Sequence, residues 1–312
     1  MTGDFMASDI LMVLRIGLVG LLAVGQTAAY GDDDSPLELE LEVGAEYDEN
    51  ITIDAIDSNA RQGDSILRLS GAIGTDILNK DDTSLSVRYS IFQSLHQDLT
   101  DFDLQLHGFS TRGNTKVGKV NVGVDYRYDY IRLAGDDFMD VHTVGTDIGW
   151  LVAAKTYLTA GYEFRTQSFD DPTRSERNAD RHSADAKLFF LLGQGRNITT
   201  GYKVSRQTAG VDSLSYWGHT ADAGLKLPVK LIADETVFRL RYQYRHKDYS
   251  GIDPDIGEKR ADRRHTFRAI FEIPFAEKFA VNLEYKYVIS NSNLPSVDYD
   301  GSAVRASIGW TF

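Results

Sequence analysis

Residues 120–130 alternate without a break. Val120, Val122, Val124, Tyr126, Tyr128 and Tyr130 fall on one face of an extended chain, and Asn121, Gly123, Asp125, Arg127 and Asp129 fall on the other. A strand of an ordinary soluble sheet keeps such a pattern for about five or six residues. Here it runs longer, and the apolar face ends in tyrosines, which settle where a membrane meets water. The same period recurs along the chain. About fourteen alternating segments lie near 37–48, 66–77, 83–95, 102–112, 117–133, 142–152, 156–169, 183–192, 197–207, 216–227, 236–249, 266–275, 278–290 and 303–312. The predicted fold is all-β, a transmembrane up-and-down antiparallel β-barrel of about 14 strands.

The connections make an independent argument. Every second one is tight: 79–82, 113–115, 193–195 and 276–277, mostly Gly, Asn and Asp that suit reversals. Residues 228–235 are a longer exception. The connections between them are longer and polar, as at 49–65, 170–182, 251–264 and 291–302. Short turns on one side of the membrane and long loops on the other are the mark of such a barrel. No loop exceeds about twenty residues, so no large folded-in plug is expected. Pro36, Pro172, Pro228, Pro254 and Pro295 avoid the ladders, and only Pro274 falls inside a segment, at its end.

Charge decides which face is which. The segment at 236–249 sets Phe238, Leu240, Tyr242 and Tyr244 against Arg239, Arg241 and Arg245, and that at 278–290 sets Leu283, Tyr285 and Tyr287 against Glu284 and Lys286. The first segment sets Leu39, Leu41 and Val43 against Glu38, Glu40, Glu42 and Glu46. One Arg or Lys facing lipid at mid-depth costs ~2–4 kcal/mol, so the charged faces look into a polar lumen. Arg68, Asp125, Arg127, Arg268 and Arg305 join them as lumen-lining candidates. Tyr126, Tyr128, Tyr130, Tyr242, Tyr244, Tyr285, Tyr287 and Trp310 are candidates for the membrane girdle. The acidic first segment and the basic 236–249 wall either neutralise their neighbours or set up a transverse field that sorts solutes, and both readings stand at this point. Arg68 and Arg305 are the cations placed to quiet the glutamates.

The chain reads as secreted and membrane-inserted. Residues 11–24 are apolar apart from Arg15, and Thr27-Ala28-Ala29 supplies small residues for cleavage, so 1–29 is the predicted signal peptide. Residues 30–36 follow as a short periplasmic lead-in, and 37–312 form the barrel. Phe312 ends an alternating terminal segment, as barrels read by insertion machinery do. The expected localisation is the bacterial outer membrane, with its lipid and barrel-insertion machinery as partners and a periplasmic export partner as an added one. A formal net charge of -13 argues against nucleic acid. There is no Cys, hence no thiolate metal site. The acids near 248–258 and at 32–34 lack the ordered spacing of a calcium loop. No Gly-x-Ser-x-Gly, His-Glu-x-x-His or phosphate loop occurs. His182 and Ser183 are adjacent and so point to opposite faces of a strand. No catalytic residue, metal or cofactor is expected.

Two stretches carry a resemblance. Gly44-Ala45-Glu46-Tyr47-Asp48-Glu49-Asn50-Ile51 resembles the opening of an outer-membrane β-barrel porin group. Ser290-Asn291-Ser292-Asn293, with Tyr299-Asp300 and Ile308-Gly309-Trp310-Thr311-Phe312, resembles its last hairpin. That group includes barrels beside exopolysaccharide operons and the barrel domain of surface lipoprotein assembly modifiers. The resemblance implies passage or assembly at the outer membrane, of polysaccharide, lipoprotein or small solutes. The chain lacks the periplasmic helical-repeat domain of the two-part members. The leading reading is a channel for small or oligomeric polar solutes. The alternative is an export or assembly component for exopolysaccharide or surface lipoprotein.

Overall fold

The computed structural model describes residues 37–230 and 235–312; the expected signal peptide and lead-in lie outside the described residues. The barrel strands are β1 (Glu38–Asp48), β4 (Asp64–Lys80), β5 (Thr83–His96), β6 (Leu104–Val117), β7 (Val120–Leu133), β8 (Asp136–Ala153), β9 (Thr156–Phe169), β10 (Ala179–Gly193), β11 (Arg196–Ala209), β12 (Tyr216–Pro228), β13 (Val237–Asp253), β14 (Glu258–Ala276), β15 (Phe279–Ser292) and β16 (Tyr299–Thr311). These fourteen pair antiparallel with their neighbours and close on themselves, which is the predicted fold. Two further short strands, β2 (Thr52–Ile53) and β3 (Ser58–Asn59), form a hairpin between β1 and β4.

Closure joins β1 to β16. Val43 pairs with Ile308 and Glu46 with Arg305. The Leu39 N–H donates to the Phe312 carbonyl at 2.9 Å, and the Phe312 N–H donates back to Leu39 at 2.8 Å. Gly44 lets the two strands meet: a Cβ there would lie 2.7 Å from that of Ser307 and 2.9 Å from the Ala306 carbonyl.

The alternation of the sequence becomes two unlike surfaces. Leu41, Val43, Val124, Ile148, Leu283 and Ile308 face outward and are about half exposed around the barrel. In water a continuous apolar surface of this size would drive association. In lipid it is the solvated state, and a closed barrel leaves no unsatisfied edge. This is a membrane-spanning barrel.

Four boundaries differ from the sequence reading. Residues 113–115 are strand, not turn: Gly113, Asn114 and Thr115 pair with Val124, Gly123 and Val122. The reversal comes at Gly118-Lys119, with Gly118 at φ +64°, where the hairpin register lets Val117 meet Val120. β13 and β14 run far into the expected 251–264 loop, pairing out to Asp253 and Glu258. Ala134-Gly135, on the long-loop side, is a tight reversal with φ of 52° and 86°. Pro228 closes β12 opposite Val237 rather than standing in the turn, and 231–234 lie outside the described residues.

Above the tyrosines the pattern inverts. Ile131, Met139 and Val141 turn inward and are 1% exposed, while Arg132 and Asp140 turn outward. The strands there have left the membrane, so water is outside and the apolar side chains need a core within. Phe92, Leu104, Leu106, Phe138 and Phe169 complete that core, with Ala55 of the β2–β3 hairpin among them.

Candidate functional site: the lumen and its hairpin

Residues 49–63 do not stand away from the barrel. They fold into its mouth and cross it. The Ile51 N–H donates to Gln62 and the Ala60 N–H to Ile51, closing the base. Asp57 and Arg61 take positive φ, 55° and 51°, which tightens the bends. Ile53, Ala55 and Ile56 pack on the apolar core of β5–β9. The acids between them face the opposite wall. Arg264 of β14 donates to Asp54 at 2.5 Å, with Arg245 of β13 at 3.5 Å. Arg177, between β9 and β10, and Arg260 each donate to Asp57 at 2.9 Å. Arg260 is held in turn by Asp262 at 2.8 Å and stacks on Tyr249, 4.4 Å from the ring centroid. The hairpin is thus amphipathic across its own width: apolar on one side, clamped by four arginines on the other. No large plug was expected, and what enters the mouth is this short hairpin.

The clamp sets the ionisation of the hairpin. Burial would raise the Asp54 carboxyl, but Arg264 and Arg245 outweigh it and hold it well below the ordinary carboxylate range. Asp57 is lowered in the same way, against burial, by Arg260 and Arg177.

Beneath the hairpin the charged side chains meet across strands. Ladder register puts Glu38, Glu40, Glu42 and Glu46 on one face with Arg68 and Arg305. The same holds for Asp125 with Arg127, and for Arg239, Arg241, Arg245, Arg268, Glu284 and Lys286, all on the inner face. Glu46 accepts from Arg68 at 2.9 Å, and Glu40 from Arg88 at 2.6 Å. Asp48 accepts from Lys286 at 3.0 Å. Glu284 accepts from Arg305 at 2.5 Å and lies 3.8 Å from Arg268. Arg239 binds Glu272, and Asp125 lies 3.4 Å from Arg112. Arg127 donates to Asp129 at 2.6 Å. Arg305, which pairs with Glu46 across the closing ladder, also binds Glu284 of β15, and Arg88 joins Arg68 at the glutamates of β1.

This pairing favours mutual neutralisation over a bare transverse field, because most of these ions lie within reach of an opposite one. The lumen is still not filled. A cavity of about 270 Å³ lies below the hairpin, bordered by Glu46, Asp48, Arg68, Asp222, Arg241 and Arg268. The outward face carries Tyr126, Tyr128 and Tyr130 on β7, Tyr242 and Tyr244 on β13, Tyr285 and Tyr287 on β15, and Trp310 near the terminus. Phe312 stacks on Trp310 at 5.9 Å. No group of three His, Cys, Asp or Glu able to hold a metal occurs among the described residues.

Sequence reading missed Asp54, Asp57, Arg177, Arg260 and Arg264. One signal was present. Apolar residues at inward positions, Ile131, Met139 and Val141, call for something apolar to cover them, and Ile51-Thr52-Ile53-Asp54-Ala55-Ile56 in the first loop is such a cover.

No family model matches the chain, and no curated protein matches it. Solved structures share its fold. OmpT of Vibrio cholerae, expressed in the outer membrane, is 9% identical over 88% of this chain and 97% of its own, with a TM-score of 0.52. A form of that protein lacking loop L8 is 8% identical over 88% and 98%, at 0.50. OccAB3 of Acinetobacter baumannii is 9% identical over 89% and 99%, at 0.49. For the two OmpT structures the likeness is one of fold.

Proposed function

We propose that the chain is an outer-membrane channel that passes small or oligomeric polar solutes through its charged lumen, narrowed at the outer mouth by residues 49–63. In this reading 1–29 is a removed signal peptide and 30–36 a periplasmic lead-in. The observation that carries the proposal is the open, charge-lined space beneath a hairpin held by ion pairs and side-chain packing. A core meant only for stability would be packed with apolar side chains to crystal-like density. Ionic walls around free volume suit water and polar solutes.

The test is single-channel conductance of the refolded mature chain in planar bilayers, with ion selectivity. Neutralising Arg239, Arg241 and Arg245 to Gln removes positive charge from one wall, so the anion-to-cation permeability ratio falls. A folded barrel without conductance sinks the passive channel. It would favour the export or assembly reading, which rests on resemblance to exopolysaccharide and lipoprotein barrels and requires a periplasmic partner.

Acid should release the hairpin only late. Asp54 and Asp57 have lowered values when docked, so their contribution to docking is complete above the undocked value, about 3.9. It is lost as pH falls through the lower docked values. Conductance should stay level from neutral pH down to about 4 and rise below that. A rise centred near pH 6 would show that the carboxylates are not what holds the hairpin.

A further inference from the structure

Five histidines stand on the outer face of the barrel, one each on β6, β8, β10, β12 and β14, and each meets a tyrosine of the preceding strand. Tyr89 reaches His107 at 2.6 Å, Tyr126 reaches His142 at 2.9 Å, and Tyr162 reaches His182 at 2.6 Å. Tyr202 reaches His219 at 2.6 Å and Tyr242 reaches His265 at 2.9 Å. In every pair the phenol oxygen meets Nδ1, and the ring centroids lie 6.1 to 6.2 Å apart. The step is also the same: the tyrosine pairs across the ladder with the residue two beyond the histidine, as Tyr89 with Phe109 and Tyr202 with Ala221. Packing within the barrel cannot demand this repetition, because both rings point away from it.

The belt has a defined height. Directly across the ladder from the histidines are Ile91, Tyr128, Phe164, Val204 and Tyr244. The next outward rung toward the loops is polar or charged: Gln93 with Gln105, Thr166 with Asp180, His246 with Arg263. The pairs therefore lie at the top of the apolar belt, where lipid headgroups begin. With Nδ1 taken by the phenol, each imidazole has Nε2 left, and among the described residues none of these five shows a hydrogen bond there. An imidazole whose Nδ1 accepts a hydrogen bond carries its proton on Nε2, and a protonated ring carries one there too. Both forms present an N–H donor at headgroup height.

We propose that this belt binds phosphate-bearing lipid headgroups of the outer leaflet, one at each Tyr–His pair, through imidazole Nε2–H. The proposal rests on the membrane-spanning reading of the barrel. The phenol sets the tautomer and orientation; the imidazole makes the contact.

The test titrates the refolded full-length mature barrel, in maltoside micelles, with phosphatidylglycerol and counts retained lipids by native mass spectrometry. A variant with His107, His142, His182, His219 and His265 all changed to Phe keeps the apolar bulk and removes the donors. Its lipid binding should be roughly tenfold weaker per site, the loss of one hydrogen bond to a charged group. If the fivefold variant does not fold, single His→Phe variants are followed by imidazole nitrogen NMR. Phosphatidylglycerol should then shift the remaining Nε2 signals, and inorganic phosphate should not. Equal retention by wild type and variant, or unmoved Nε2 signals, overturns the proposal. Failure of the wild-type chain to insert into vesicles, seen as loss of heat-modifiable migration, overturns the membrane reading and the proposal with it.

Discussion

Replacing residues 52–59 by two glycines should raise single-channel conductance roughly three- to tenfold, because a barrel of this size can leave an aqueous channel once nothing crosses it. The fourteen-stranded wall does not depend on the hairpin for its ladders, so the shortened chain should refold and keep heat-modifiable migration. A milder change, Asp54→Asn with Asp57→Asn, removes both charges facing Arg264, Arg245, Arg260 and Arg177 and leaves the apolar contacts of Ala55. It should give frequent short openings over the wild-type level rather than a steady large one. Unchanged conductance in the shortened chain would show that the narrowest point lies among the paired charges below.

Val124→Arg should cost about 2–4 kcal/mol, the price of a cation facing lipid at mid-depth. Val124 points outward, 52% exposed, opposite Thr146 and Gly113. The matched control is Asp180→Arg, also outward and exposed but paired with Thr166 above the apolar belt. There the same side chain should cost about 0–1 kcal/mol. Urea midpoints of both variants, refolded in vesicles, read the difference. Equal effects would mean that the belt has been put at the wrong height.

The barrel was legible in the sequence because lipid and water impose opposite demands on alternate residues. The tyrosines of β7 and the arginines of β13 declare their faces without knowledge of any partner. Turn positions were less legible. Gly113-Asn114-Thr115 has the composition of a reversal, yet ladder pairing with β5 and β7 holds it extended. Local preference is worth tenths of a kcal/mol to about 1 kcal/mol, and a register shared by two neighbours outweighs it. The hairpin at the mouth was not legible. Its acids look like any solvated loop until Arg264 is brought beside them, and that meeting depends on closure. The salt links of the lumen were half legible: Arg68 could be matched to Glu46, but Arg88 and the sharing of Glu284 depend on which side chains lean along the strand.

The link between Asp54 and Arg264 spans 210 positions of the chain. It joins the first loop to a strand that comes beside it only through the closure of β1 on β16. Contacts so distant in sequence form late, after the intervening chain has been ordered. The hairpin therefore has nowhere to dock while the sheet is still open. Its docking marks completion: protease cleavage within 49–63 should be easy in a half-assembled barrel and hard in a finished one. The loop that narrows the mouth is also a clock for how far the wall has closed.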